Sequence, residues 1–138
     1  MRLLVSALAL LACTATAALP QSEEPLPQIV LEGGEGQAVP DSGVVLLRTK
    51  VDDQRCPAEV DCYWEGMIRA EITVTPPKGE LVPIVLCNLC EDGGRSATVA
   101  GLTLTLIGLA PSTEDLAKHA RPPILTDYAL TVAYQPVV

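Results

Sequence analysis

From Met67 to Thr75 the chain alternates, with Ile68, Ala70, Ile72 and Val74 at even positions and Arg69, Glu71, Thr73 and Thr75 at odd ones. Successive side chains of a strand point to opposite faces, so a period of two predicts a strand with one buried face. Leu102, Leu104 and Leu106 alternate with Thr103 and Thr105, and Tyr128, Leu130, Val132 and Tyr134 alternate with Ala129, Thr131 and Ala133. In another strand the inward set is read as Val45, Leu47, Thr49 and Val51, with Arg48 and Lys50 outward. Carrying the parity of the first strand backwards places Cys62, Trp64 and Gly66 on its buried side. Shorter strands are expected at 28–32, 37–39, 81–87 and 96–100, and Pro83 marks its strand as an edge or a bulge. Turn clusters separate these segments: Gly33-Gly34, Pro40-Asp41-Ser42-Gly43, Pro76-Pro77-Lys78-Gly79 and Asp92-Gly93-Gly94. The pattern predicts an all-β fold, an antiparallel β-sandwich (immunoglobulin-like or related) of about seven to eight strands. One short helix is expected in a crossover loop at 113–120, capped by Ser112 and stopped by Pro122-Pro123.

Composition adds a destination. The 138 residues are 49% hydrophobic and 19% charged, which argues for a folded domain rather than a disordered chain. Residues 1–18 read as a signal peptide: Arg2, an apolar stretch over 3–11, and the cleavage pattern Ala15-Thr16-Ala17. Residues 19–27 read as a linker and 28–138 as the domain. Leu10-Leu11-Ala12-Cys13 also resembles a bacterial lipobox, which would make Cys13 a lipidation site. The protein is therefore expected to be exported, periplasmic or secreted, or alternatively an envelope-anchored lipoprotein. A net charge of −8 argues against nucleic acid or an anionic membrane surface as partner. Membrane attachment is expected only through a lipid on Cys13. A monomer is expected.

Four cysteines remain: Cys56, Cys62, Cys87 and Cys90. In an exported small domain an even count reads as disulfides, with three connectivities open. The tight loop between Cys56 and Cys62 favours that pair, leaving Cys87–Cys90, with cross-pairing as the alternative. Cys87-Asn88-Leu89-Cys90 also has the C-x-x-C spacing of thiol–disulfide enzymes and of zinc sites. Glu91 and Asp92 follow it directly, and negative charge opposes the thiolate that redox chemistry requires. The Cys56–Cys62 spacing is too wide for a usual zinc knuckle, so a staple is the favoured reading.

Arg55-Cys56-Pro57-Ala58-Glu59-Val60-Asp61-Cys62-Tyr63-Trp64-Glu65-Gly66 is the most distinctive segment. It resembles the R-C-P-x-x-V-x-C-x-W-x-G signature of a family of small exported bacterial proteins, many of them lipoproteins, whose function is uncharacterised. The resemblance implies a β-sandwich-like exported domain with Cys56–Cys62 bridged, and no known activity. The residues alone suggest that Pro57 stiffens the loop, the bridge closes it and Trp64 enters a core short of aromatics. Gly66 is read as a bulge or a close approach of strands.

Catalytic equipment is thin. His119 is the single histidine, with no G-x-S-x-G pattern to supply a nucleophile. Asp52, Asp53, Glu59, Asp61 and Glu65 concentrate carboxylates around the bridged loop, but their spacing matches no calcium loop. No enzyme, metal or cofactor is expected. The chain reads as a non-enzymatic binding or structural module for a protein or small-molecule ligand. Its candidate binding residues are Asp53, Glu59, Asp61, Trp64 and Glu65. A thiol–disulfide protein using Cys87 and Cys90 is the alternative, and a loop-presenting inhibitor a third reading.

Overall fold

The computed structural model describes residues 17–20, 22–64, 66–91 and 93–138; the signal segment up to residue 16, Cys13, Glu65 and Asp92 lie outside the described residues. Eight strands follow in order: β1 Gln28–Glu32, β2 Gly36–Ala38, β3 Val45–Gln54, β4 Met67–Thr75, β5 Val82–Cys87, β6 Ser96–Val99, β7 Leu102–Ala110 and β8 Ala129–Pro136. Between β7 and β8 lie the helix α1, Thr113–Leu116, and a 3-10 turn, Leu125–Asp127. Ser112 accepts the Asp115 amide at 3.1 Å and so caps α1, which is shorter than its sequence pattern suggested.

The strands form two four-stranded antiparallel sheets, β1-β8-β7-β6 and β2-β3-β4-β5, packed as a β-sandwich. Each sheet joins sequence neighbours, and β1 closes the circuit by pairing with β8 from Gln28↔Ala133 to Glu32↔Ala129. The connectivity is thus an up-and-down meander, without the Greek-key crossing of immunoglobulin sandwiches. β5 is an edge strand, as Pro83 requires, because an edge position tolerates a missing ladder donor. β6 and β7 meet through Ala100-Gly101, both with positive φ (50° and 74°), the geometry of a two-residue hairpin turn.

The core is aliphatic. Leu31, Leu46, Ala70, Ile72, Val74, Leu86, Leu104, Leu106, Leu130 and Val132 are fully or nearly buried. The alternation read in β4 and β7 is therefore the packing that occurs, and in β8 it holds as far as Val132, after which Ala133, read as outward, is buried and Tyr134 half-buried. Two readings are corrected. Val44, just ahead of β3, and Leu46 and Arg48 within it are the buried residues, with Val45 and Leu47 only half-buried, so the parity is inverted. The inversion rests on Arg48, a charged residue 1% exposed, whose Nη2 donates to the carbonyls of Leu125 (2.8 Å) and Tyr128 (2.6 Å). Past it the β3–β4 register slips between Arg48 and Lys50, a bulge that changes the parity again. Trp64 is the second correction: it is 66% exposed and lies outside the core. The parity of β4 does not extend to it, because the strand begins only at Met67.

Strand directions sort the loops into two poles. The ends of β1, β3, β5 and β7 and the starts of β4, β6 and β8 share one pole, which carries both disulfides, α1 and the 3-10 turn. The start of β1 and the end of β8 lie at the opposite pole, where the Tyr134 amide donates to the Pro27 carbonyl at 3.0 Å.

Candidate functional site

At the disulfide pole β3 runs into the neck of a loop closed by Cys56–Cys62. Arg55 fixes that neck. Its Nε and Nη2 make a bidentate pair with the Asp53 carboxylate at 2.8 and 2.9 Å, Nη1 donates to the Leu109 carbonyl at 3.0 Å, and Nη2 also reaches the Pro111 carbonyl at 2.9 Å. One guanidinium thereby joins the end of β3 to the end of β7 in the other sheet, using the planar fork that only arginine supplies. Across the neck Gly66 lies so close to the Arg55 backbone that a Cβ there would overlap Arg55 Cα. The close approach expected at Gly66 is what the structure contains.

Asp53 is buried enough that desolvation pushes its carboxyl pKa up. The hydrogen bonds and charge of Arg55, with a further hydrogen bond from Tyr128, outweigh this and leave the pKa below its ordinary value. Tyr128 moves the opposite way: burial and the neighbouring Asp53 carboxylate raise its hydroxyl pKa.

Above this floor opens a groove of about 410 Å³ between the bridged loop and α1. Its walls are Pro57, Ala58 and Val60 on the loop side and Leu116, Ala117 and Pro123 opposite, and Asp53, Arg55, Glu59, Thr113 and Tyr128 supply its polar groups. Its size falls within the roughly 300–1,000 Å³ of small-ligand sites. Of the sequence-derived binding residues, Asp53 and Glu59 line the groove. Asp61 and Trp64 are exposed on the same loop outside its lining, and Glu65 lies outside the described residues. Tyr63, beside Trp64, is fully exposed.

Arg55, Tyr128 and the α1 wall join the site without being among the residues the sequence pattern singles out for binding. Asp53-x-Arg55, opposite charges two residues apart where β3 ends at Gln54, is the available local signal. The α1 wall had none, since it lies more than fifty residues from the loop it faces.

The second bridge, Cys87–Cys90, closes the end of β5. Between its cysteines Asn88 accepts the Ile68 amide at 2.8 Å and donates to the Gly66 carbonyl at 3.1 Å, so this short loop is tied to the start of β4. Cys87 is buried and Cys90 half-buried, with Cys90 Sγ 3.5 Å from Met67 Sδ. His119 is exposed and lies outside the groove. Among the described residues no three of His, Cys, Asp and Glu converge as a metal site, and no helix is long and apolar enough to cross a membrane. No family model, curated protein or solved structure matches the chain.

Proposed function

We propose that the protein is an exported envelope module that binds a ligand, without catalysis, in the groove between its bridged loop and α1. The observation that carries this reading is the groove itself: apolar walls over a floor whose charges are already paired. A catalytic floor needs a group free to exchange protons or attack, whereas here Arg55 holds both carboxylate oxygens of Asp53. The bridge keeps the loop wall ordered, which lowers the entropy that binding must overcome. Both described ends of the domain lie at the other pole, so a tether through residues 19–27 would leave the groove facing outward.

Photo-crosslinking in the producing cell tests the proposal. A benzophenone side chain at Val60, on the groove wall, is expected to give a discrete adduct. The same group at Lys78, at the opposite pole, is expected to give none. Equal labelling at both positions, or adducts at Lys78 alone, refutes a ligand site in the groove.

A further inference from the structure

We infer that the groove's occupant is a short basic peptide segment, an apolar side chain seated between the walls with lysine or arginine on either side of it. The inference rests on the groove being the ligand site and adds the chemistry of the ligand. The Asp53–Arg55 pair cancels on the floor, so the character of the site comes from its walls and rim. The walls at Pro57, Ala58, Val60, Leu116 and Pro123 suit an aliphatic side chain. Among the described residues Glu59, in the lining, makes no ion pair, and neither does Glu114, which stands in the first turn of α1 beside the lining residue Thr113 and whose charge reaches Arg55 and Lys118 through space. Lys118, the nearest lysine on that side, is already paired with Asp115 at 2.7 Å. A net charge of −8 reinforces the local sign and speeds the approach of a basic partner. An open groove with Glu59 on one wall and Glu114 beside the other fits a chain segment with positive charges on both sides better than a compact anion or a neutral solute.

The test uses the oxidised domain and three labelled peptides of one length, each with a central leucine and flanks of lysine, serine or glutamate. Fluorescence anisotropy follows binding at two salt concentrations. The lysine peptide is expected to bind at least tenfold more tightly than the serine peptide, and the glutamate peptide more weakly still. Its affinity is expected to fall on raising salt. The double variant Glu59→Gln/Glu114→Gln is expected to lose two- to tenfold for the lysine peptide alone, the range of two exposed ion pairs. Ala117→Trp, which fills the groove from the exposed C-cap of α1, is expected to abolish binding. Plug-sensitive binding with no preference for lysine overturns the basic ligand and leaves the groove as a ligand site. Lysine-peptide binding that Ala117→Trp leaves intact places the charge effect elsewhere and overturns the inference. Absence of binding by all three peptides overturns it as well, and the crosslinking at Val60 then decides the groove separately.

Discussion

Replacing Arg55 by alanine removes four charge-assisted hydrogen bonds at once: two to Asp53 and one each to the Leu109 and Pro111 carbonyls. The side chains of Arg55 and Asp53 are only 17% and 9% exposed, so the Asp53 carboxylate is left largely dehydrated without its cation. Breaking a fully buried pair from one side costs about 3–5 kcal/mol. The partial exposure and the donor that remains for Asp53, the backbone amide of residue 55 at 3.2 Å, bring the expectation down to about 3 kcal/mol. Urea denaturation followed by far-ultraviolet circular dichroism, with both bridges oxidised, measures it. The pH dependence is a sharper check. In the wild type the Asp53 pKa is depressed by folding, so its contribution is present above the unfolded value of about 3.9 and lost as pH falls through the folded one. Without Arg55 desolvation dominates, the folded pKa rises above the unfolded one, and protonation relieves the strain on the folded state. The stability gap between wild type and Arg55→Ala should therefore narrow as pH falls from 7 to 3. A gap under about 1 kcal/mol at pH 7, or one unchanged by acid, refutes the role given to Arg55.

Other positions are equally exposed to test. Gly66→Ala places a methyl group against the Arg55 backbone and should cost about 2 kcal/mol in the same denaturation assay. Trp64→Ala should change stability by less than about 0.5 kcal/mol, and Trp64 emission should be freely quenched by acrylamide in the native protein. Ala100→Asn should stabilise by about 0.5–1 kcal/mol, because asparagine accepts the positive φ that the β6–β7 turn imposes on alanine. Asp127, paired with Arg121 at 2.6 Å and accepting the Ile124 amide, has its pKa lowered to about 2. Its stabilising contribution should persist above the unfolded carboxyl value and disappear as pH falls through about 2, and Arg121→Gln should raise its NMR titration midpoint.

The sequence was most readable where a strand has one buried face and no interruption. In β4, in β7 and in β8 as far as Val132, the alternation of residues such as Ile72, Leu104 and Leu130 is the alternation of burial. It misled in β3, where a buried guanidinium occupies a position that hydropathy assigns to water, and where Val45 and Leu47 mimic an inward face. Trp64 misled for a related reason: periodicity is a property of a strand, and Tyr63 and Trp64 lie in a bend ahead of β4, which begins at Met67. Pairing of the cysteines was readable because short loops restrict which sulfurs meet. The groove was half readable. Asp53 and Glu59 stood out as local acidity, but their wall partners Leu116 and Pro123 arrive through tertiary packing, which no local pattern encodes.

The pairing of β1 with β8 also orders events in time. Seven of the strands can assemble through hairpins and short connections, whereas Gln28 and its partner Ala133 are separated by about a hundred residues of chain. The first strand to be synthesised is consequently the last to find its neighbour. Until β8 exists, β1 has no template, and Leu31, fully buried in the finished domain, must wait in water or in the care of a chaperone.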